Sequence, residues 1–524
     1  ILVTCNVTGL ALNLPEPFTN AAEVPLPLRV ENSVVRSSLP PAPRLQDQWQ
    51  VELGRLVSVN FVRDISGADA RVLRGSIGVG LNGDESAALP TEGVLAHVRM
   101  DEIDTDAWSA IASHLGASPT PSGGTAPDTA AQAYLPSSLT LRANALMVQG
   151  RKFNKVTLTG VREGLVWRGA VQATELKGNV EYRQSSGSTP GRVVARLAHL
   201  VIGQSAQQDV ENLLDQQPAT IPALDIVVED MELRGKKLGR VEIQAVNLGV
   251  TGPREAAREW RLNRFNISTP EATLTATGNW TNVNAQQPAA AQRTLRDRRR
   301  TVLNFKLDVA DSGDLLKRFG MPGVIAKGRG LIEGQVSWLG SPLSPDYVSM
   351  GGGFNVNMES GQFLKADPGI AKLLGVLSLQ SLPRRLALDF RDVFSDGFAF
   401  DYVRGDAVIE QGIARTSNLQ MKGVNAAVLM EGQADIARET QLLKVVVIPE
   451  INVGSASLLY SAINPLIGLT TFLANVILRR PLIDANTQEF LIDGSWADPR
   501  VTKVEHKSEP EPGATKPENK ESKP

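Results

Sequence analysis

The sequence has 524 residues and a formal net charge of −2, with 54 Lys and Arg side chains against 56 Asp and Glu. A chain of this length exceeds one ordinary hydrophobic core, so we expect several domains or one extended repeat structure. The balanced charge gives no support to a nucleic-acid partner, whose phosphates call for a basic excess. The single cysteine, Cys5, excludes an intramolecular disulfide and a metal site built from cysteines.

The first ten residues, ILVTCNVTGL, contain neither an initiator Met nor the basic segment that begins a signal peptide. They fit a β-strand instead. We therefore interpret the chain as part of a longer protein whose targeting or anchoring segment lies upstream.

Strict two-residue alternation of apolar and polar side chains predicts β-strands along most of the chain. In the clearest run, Ala272, Leu274 and Ala276 alternate with threonines. Successive strand side chains point to opposite faces, so each strand has one apolar and one polar face, which is typical of antiparallel sheets. Strands of this kind are predicted, in chain order, at 139–147, 224–228, 241–245, 271–280, 303–309, 354–358, 386–390 and 428–436.

Dipeptides that favour tight hairpins separate several of these runs. The strongest is Asn82-Gly83, and three weaker ones are Glu163-Gly164, Arg234-Gly235 and Gln411-Gly412.

A loose internal repeat places a Gly before a Trp near a strand end. It occurs as ATGNW (276–280), IEGQVSW (332–338) and IDGSW (492–496), and without the Trp as MEGQADI (430–436). This recurrence predicts stacked hairpins, each of which buries its apolar face against its neighbours.

Helical periodicity is confined to short segments. Capped helices are predicted at about 104–116, after Ser312, and at about 368–379, where Asp367-Pro368 provides an N-cap and a first-turn Pro. The remaining irregular segments are loop insertions at 117–134, 204–220 and 283–300, and a charged, Pro-rich tail at 503–524 that we expect to be disordered.

Residues 451–478 contain no charged side chain and are followed by Arg479-Arg480. The segment is long enough to cross a bilayer, but its many Asn, Ser and Thr side chains and Pro465 argue against a simple span. A transmembrane helix, a helical plug at the end of the sheet and an element dipping into a membrane interface are the alternatives. We place a helix at about 454–479.

Motifs for catalysis and metal binding are scarce. The four histidines are scattered, and the GxGxxG match at 78–83 is not followed by a helix that could hold a phosphate at its N-terminus. No nucleophile elbow or phosphate-binding loop occurs. We therefore expect a protein that is not an enzyme, with no catalytic residue, no metal site and no cofactor.

Residues 361–405 contain LLGVLSLQSLPRR and LDFRDVFSDGFAFD, and GSWADPRV follows at 494–501. These motifs resemble the signature region of the YhdP family of AsmA-like proteins, with weaker likeness over most of the chain and departures at 117–134 and 204–220. The resemblance implies a mostly β fold, in which an elongated, curled antiparallel sheet of repeated hairpins (a β-taco) forms an apolar groove with a few short helices near the C-terminus. It also implies non-enzymatic transport of phospholipid across the periplasm, between the inner and outer membranes of a Gram-negative bacterium.

On this resemblance, we expect a hairpin groove segment at 1–345, an AsmA-like C-terminal region at 346–502, and the tail at 503–524. The expected partners are phospholipid, the inner leaflet of the outer membrane at the C-terminal end, and the inner membrane through an N-terminal anchor. We expect a monomeric, periplasmic protein with no nucleic-acid partner.

The predicted site has no single key residue. It consists of the apolar side chains that the strands present together on one face. The predicted lipid-lining residues are Leu139, Leu141, Met147, Leu224, Ile226, Val228, Val241, Ile243, Leu274, Leu303, Phe305, Leu307, Phe354, Val356, Met358, Leu386, Leu388, Phe390, Val428 and Met430. The predicted membrane-facing or plug residues are Leu373, Leu374, Leu377, Leu466, Leu469, Phe472, Leu473, Arg384, Arg385, Arg479 and Arg480, the arginines being suited to anionic head groups.

Alternation alone is equally compatible with a β-sandwich or β-solenoid that has a packed core. Two other functions therefore stay open: a scaffold for outer-membrane assembly that binds proteins by strand addition, and a carbohydrate-active β-solenoid.

Overall fold

The computed structural model describes all residues except 10, 40–43, 68, 82–87, 115–132, 149–150, 187–188, 204–221, 234, 249–258, 283–298, 341, 343–344, 365–397, 424–425, 450–487, 497 and 505–524. Over these residues the chain forms 24 strands of one hydrogen-bonded sheet, with two α-helices and two 3-10 turns. The predicted class, a mostly β chain with few helices, is confirmed.

The chain divides into two compact units. Unit 1 comprises Ile1–Leu307, Arg318–Gly320 and Ser337–Asp346. Its elements are β1 (Leu2–Val7), β2 (Leu26–Val34), β3 (Gln46–Leu53), β4 (Val57–Asp64), β5 (Arg71–Val79), β6 (Gly93–Asp104), α1 (Thr105–His114), β7 (Ser138–Val148), β8 (Arg151–Glu163), β9 (Val166–Gln172), β10 (Leu176–Arg183), β11 (Arg192–Ile202), β12 (Ala223–Leu233), β13 (Lys236–Leu248), β14 (Glu259–Ser268), β15 (Ala272–Asn282) and most of β16 (Arg299–Val309).

Unit 2 comprises Asp308–Lys317, Met321–Val336 and Tyr347–Pro524. Its elements are most of α2 (Ser312–Arg318), most of β17 (Ile325–Leu339), β18 (Gly351–Phe363), β19 (Phe398–Glu410), β20 (Ile413–Gly423), β21 (Ala426–Asp435), β22 (Thr440–Pro449), β23 (Gln488–Ser495) and β24 (Pro499–Val504).

The predicted helix at 104–116 is observed as α1, and the one after Ser312 as α2. The Asp104 carboxylate caps α1 by accepting hydrogen bonds from the backbone N–H groups of Asp106 and Ala107, both at 2.9 Å. The predicted helices at 368–379 and 454–479 and the strand at 386–390 lie outside the described residues.

Each strand from β1 to β14 pairs with its successor along the chain, and most of these pairs are antiparallel. Three pairs are parallel instead: β5–β6, β6–β7 and β11–β12. A parallel pair needs a connection of a dozen or more residues. The second strand begins at the same end of the sheet as the first, so the chain must cross back over the length of the strand. The insertions at 117–134 and 204–220 lie in two of these connections.

The hairpin predictions have mixed outcomes. The turns at 163–164 and 411–412 each join two antiparallel strands, as predicted. Arg234 lies outside the described residues, but β12 and β13 on either side of it are also antiparallel. Asn82-Gly83 lies outside the described residues, but it falls between β5 and β6, which run parallel. These two strands therefore do not form a hairpin with each other, and a tight turn at Asn82-Gly83 itself stays a prediction.

The strand register aligns the apolar side chains of unit 1, since residues directly opposite each other share a face. Two adjacent rows contain only apolar residues, glycines and Cys5 from β1 to β15. The first row is Val3, Val30, Val51, Val59, Ile77, Ala96, Leu139, Gly160, Gly169, Val180, Ala195, Ile226, Ile243, Phe265 and Ala276. The second row is Cys5, Leu28, Leu53, Val57, Val79, Val98, Leu141, Leu158, Val171, Gly178, Leu197, Val228, Val241, Ile267 and Leu274.

The opposite face of unit 1 is predominantly polar. Between the two apolar rows runs a row that points the other way and includes Thr4, Arg29, Glu52, Thr140 and Thr159. We call the side that carries the two apolar rows the apolar face of unit 1.

Three of the four glycines of the internal repeat share a structural reason, and Gly494 is the exception. At Gly278, Gly334 and Gly432, an added Cβ would lie 2.2–2.3 Å from a carbonyl oxygen of the neighbouring strand. Such a contact is impossible without moving the backbone, so only glycine lets the two strands approach this closely. These three copies of the repeat therefore mark points of close strand approach.

Unit 2 has a packed apolar cluster on one side of β19–β23. Phe400, Met421, Val428, Val447 and Phe490 are all buried there, and Val428 has no exposed surface. The neighbouring side chains Ala427, Leu429 and Val446, which point the other way, are buried as well. β21 and β22 are therefore buried on both faces.

We predict that Val428→Ala lowers the free energy of unfolding by about 2 kcal/mol, because it removes two methyl groups from a fully buried position. Val408→Ala, at a position on β19 that is 53% exposed, is the matched control and should leave stability nearly unchanged. Urea unfolding of both variants measures the difference. Equal effects of the two substitutions would contradict the packed cluster.

Candidate functional site

A cavity on the apolar face of unit 1 lies over β7–β10 and has a volume of about 440 Å³. This volume is in the range of pockets that bind small molecules. We call it the β7–β10 cavity. Its lining includes Leu139, Leu158, Trp167, Val171, Val180 and Tyr182.

The second cavity has a volume of about 220 Å³ and lies over β12–β16. Three indole rings contribute to its wall, and we call it the tryptophan cavity. Trp260 and Trp280 are directly opposed on β14 and β15, and both pack against Ala245. The third ring is Trp338, so two of the repeat motifs, ATGNW and IEGQVSW, supply a Trp to the same wall.

The structure brings some of the predicted lining residues into these cavities. Leu139 lines the β7–β10 cavity, and Leu224, Ile243 and Leu303 line the tryptophan cavity. Five more lie in the apolar rows without lining either cavity: Leu141, Ile226, Val228, Val241 and Leu274.

Other predicted lining residues lie elsewhere. Phe305 borders a shallow polar depression with Asn304 and Lys306, and Met147 lies opposite Lys152. In unit 2, Val428 belongs to the packed cluster, with Met358 and Met430 against it. Leu307 is half-buried on β16, and Phe354 and Val356 lie opposite Ala407 and Gly405 on β19.

Leu386, Leu388, Phe390 and all eleven predicted membrane-facing or plug residues lie outside the described residues. Lipid contact at each of these positions, and at the placed ones, stays a prediction.

Sequence reasoning missed β9 and β10, which supply Trp167, Val171, Val180 and Tyr182 to the β7–β10 cavity. Alternation is present on β9, where Trp167, Gly169 and Val171 share one face. A glycine in the apolar phase, and Ala170 in the polar phase, weaken the contrast between the faces. The pairing of these segments with neighbouring strands shows that they are strands with one apolar face. A local sequence pattern does not contain this register.

One end of the apolar face carries a buried ion pair. Asp47 and Arg63 are opposed on β3 and β4, directly beyond the apolar pair Trp49 and Phe61. The Arg63 Nε–H donates to Asp47 Oδ1 at 3.0 Å and Nη2 donates to Oδ2, so the contact is bidentate. This hydrogen bonding raises the pKa of Arg63, which stays charged. The Asp47 side chain is only 5% exposed.

A second arginine lies at the same end of the face. Arg162 of β8 is opposed to Trp167, and its Cζ atom lies 5.9 Å from the centre of the indole ring. Its Nη2 donates to the carbonyl oxygen of Leu135 at 3.3 Å, while Arg63 Nη1 lies 3.5 Å from the hydroxyl oxygen of the adjacent Tyr134. The segment 134–135 therefore contacts both arginines.

The polar face carries exposed ion pairs of a different kind. Arg168 donates to Glu163 and Glu181, and Arg240 donates to Glu229 and Glu242. The hydrogen bond from Arg240 lowers the pKa of the Glu242 carboxyl. Exposed pairs of this type contribute little to stability because water screens them, so their main effect is to keep this face hydrated.

Within the described part of the chain, no helix has the length and apolar character needed to span a bilayer. Nor does any group of three His, Cys, Asp or Glu side chains in that part come close enough together to hold a metal ion.

Comparison with known proteins gives a family and a relative. The family model described as YhdP protein matches residues 1–501. A protein of Escherichia coli (strain K12) named intermembrane phospholipid transporter YhdP is 27% identical over 271 residues, which are 52% of this chain and 20% of that protein. The matched part therefore spans about a fifth of the relative's length. No solved structure matches the chain.

We predict that Asp47→Ala lowers the free energy of unfolding by about 3 kcal/mol, because it leaves the partly buried Arg63 guanidinium without its carboxylate. Glu31→Ala, which breaks the exposed pair with Arg29, is the control and should leave stability unchanged within error. Chemical unfolding of both variants measures the effect. An unaltered midpoint for Asp47→Ala would show that the ion pair has no structural role.

Proposed function

We propose, from the premise that this chain belongs to the YhdP family, that the apolar face of unit 1 carries the acyl chains of phospholipids as they move between membranes. The E. coli relative is named as an intermembrane phospholipid transporter, and lipid transport is the activity that this likeness supports. The chain matches a fifth of that protein, so the specific route and surface are proposals for this chain.

The observation that carries the proposal is the continuity of the two apolar rows. From β1 to β15 neither row contains a charged side chain. Two acyl chains of about 16 carbons, at ~0.8 kcal/mol per CH₂, represent on the order of 25 kcal/mol of transfer free energy. Any polar gap would expose part of this hydrocarbon to water and become a barrier. An uninterrupted apolar track avoids that barrier.

The scale of the track also fits transport better than storage. The fifteen strands have fourteen spacings of about 4.8 Å, which give a path of roughly 70 Å along the sheet. A single binding pocket needs far less apolar surface than this. A lipid could therefore advance in small steps between equivalent apolar environments, and no bond would be made or broken.

We further propose that this movement takes place in the periplasm. On this proposal, a segment upstream attaches the protein to the inner membrane, and its C-terminal end delivers lipid to the inner leaflet of the outer membrane. Phospholipid is the only ligand required, and no cofactor takes part.

The direct test is to purify the chain, extract it with organic solvent and identify released phospholipid by mass spectrometry. We expect phospholipid in molar proportion to protein. A protein that carries no lipid and instead captures a protein partner through a strand edge would favour the scaffold alternative.

We predict that Leu158→Asp reduces bound phospholipid by about tenfold, because a carboxylate in the second apolar row would have to be desolvated by the acyl chain. Thr159→Asp is the matched control: it adds the same charge one residue away on the polar face and should leave lipid binding unchanged. Bound lipid per protein is measured for both, together with the circular dichroism spectrum. Equal lipid content in the two variants would contradict transport on this face.

A further inference from the structure

We infer that the β7–β10 cavity is a discrete binding site for one acyl chain of about 16 to 18 carbons, and that Gly160 determines the chain length it accepts. This inference rests on the proposed function and adds to it a place on the apolar face where a single chain is held. Three observations carry it: a gap left by two glycines, the character of the lining and the volume of the cavity.

The cavity opens where two glycines leave a gap in the first apolar row. Gly160 on β8 is directly opposed to Gly169 on β9. Leu139 of β7 and Val180 of β10 flank this pair in the same row, and all four residues line the cavity. Two positions without side chains are therefore enclosed between two aliphatic side chains, which leaves a trough in the otherwise filled row.

The lining is suited to hydrocarbon. Apart from Arg168 and Tyr182, its residues have aliphatic side chains, aromatic rings or no side chain. The Arg168 guanidinium donates to Glu163 at 2.8 Å and to Glu181 at 2.9 Å on the polar face. The charged side chain of the lining is thus already paired. A ligand with an ionised group would lose its hydration in the cavity without gaining a counter-ion, whereas an acyl chain has no such cost.

The volume matches one acyl chain and is too small for two. An apolar cavity of about 150 Å³ holds benzene, which corresponds to about 25 Å³ per carbon. At this ratio the cavity, with about 440 Å³, holds about 18 carbons. The two chains of a phospholipid need about twice that volume, so the second chain must lie on the adjoining apolar rows.

The cavity is also long enough for this chain. Its lining on β8 extends from Phe153 to Gly160, seven residue steps or roughly 23 Å. The hydrocarbon core of a bilayer is about 30 Å thick and holds two chain lengths, so one chain needs about 15 Å. Gly160 is the last lining residue of β8, and a side chain there would shorten the cavity from that end.

Gly160 can accept a side chain without movement of the backbone, and Gly169 cannot. A Cβ at Gly160 would lie 3.4 Å from the nearest atom, the carbonyl oxygen of Arg168, which is an ordinary contact. A Cβ at Gly169 would lie 2.6 Å from the carbonyl oxygen of Thr159. Substitution of Gly160 therefore reduces the cavity and leaves the strand pairing intact. A leucine side chain has four carbons and occupies about 100 Å³.

The test measures how affinity depends on chain length. Lysophosphatidylcholines carry a single chain, and a saturated series from decanoyl to arachidoyl displaces a fluorescent lysophospholipid from the wild-type protein, Gly160→Leu, Gly160→Ala and Gly203→Leu. Gly203 is the matched control: it is an exposed residue after β11, and an added Cβ there would meet no atom within 4 Å. Circular dichroism checks that each variant is folded.

For the wild type we expect affinity to rise about fourfold with each methylene, as the transfer free energy requires, and to level off between palmitoyl and stearoyl. Gly160→Leu should level off between lauroyl and myristoyl and bind the palmitoyl probe about tenfold more weakly, because its side chain occupies the space of about four carbons. Gly160→Ala should shift the profile by about one carbon. Gly203→Leu should match the wild type.

Trp167 locates the bound chain without any change at Gly160. Its Cε3 atom would lie 3.9 Å from a Cβ at Gly160, so the indole ring borders the trough. A palmitoyl probe brominated in mid-chain should quench tryptophan fluorescence in the wild type, and Trp167→Phe should lose most of this quenching. Trp496→Phe, which replaces an exposed indole of unit 2, should retain it.

Each contrary outcome identifies what fails. If Gly160→Leu keeps the wild-type length profile or weakens all chain lengths equally, the role of Gly160 is overturned and the proposed function stands. Affinity that rises through arachidoyl without levelling off, or quenching that persists in Trp167→Phe, would overturn the discrete site. If the wild-type protein binds none of the probes, the proposed function itself fails.

Discussion

Strand register is the constraint on which this structure depends. Side chains alternate with a period of two, so a one-residue slip between any two strands would turn every apolar side chain of one strand to the polar face. In unit 1 the register holds the apolar phase through fifteen consecutive strands, although bulges interrupt several pairs, as between Gln244 and Ala245. The parallel pairs β5–β6, β6–β7 and β11–β12 keep the phase as well, because their long connections leave the register free to be set by side-chain burial.

The cavities follow from which residues occupy the aligned rows. Gly160 and Gly169 are directly opposed in the first row and together line the β7–β10 cavity. A Cβ on Gly169 would lie 2.6 Å from the carbonyl oxygen of Thr159, so the close approach of β8 and β9 requires glycine there. The two glycines that let the strands approach also leave two positions of the apolar face without a side chain. The open volume of the β7–β10 cavity thus follows from backbone packing.

Much of the fold could be predicted from the sequence, because alternation is a local property. The runs at 271–280 and 428–436 became β15 and β21, and the turn at Gln411-Gly412 joins β19 to β20. Parallel pairing could not be predicted, since no local pattern states which strand lies alongside, and the Asn-Gly dipeptide at 82–83 gives no sign that β5 and β6 are parallel. The opposition of Trp260 and Trp280 and the meeting of Arg162 with Trp167 depend on register between strands, so these parts of the candidate site emerge only from the structure.

In unit 2 the same alternation produces a packed apolar cluster. There the row that contains Met358, Val403, Met421 and Val428 continues through Val447 to the polar Gln488. Val428 and Val447 have almost no exposed surface, so their apolar area is already used by packing within the protein. A surface that is filled in this way cannot exchange its contacts with a mobile chain at low cost, because protein interiors are close-packed. Sequence alternation alone does not separate these two uses. The deciding property is whether the apolar row is left with open volume, as it is beside Gly160 and Gly169, or is filled by other side chains.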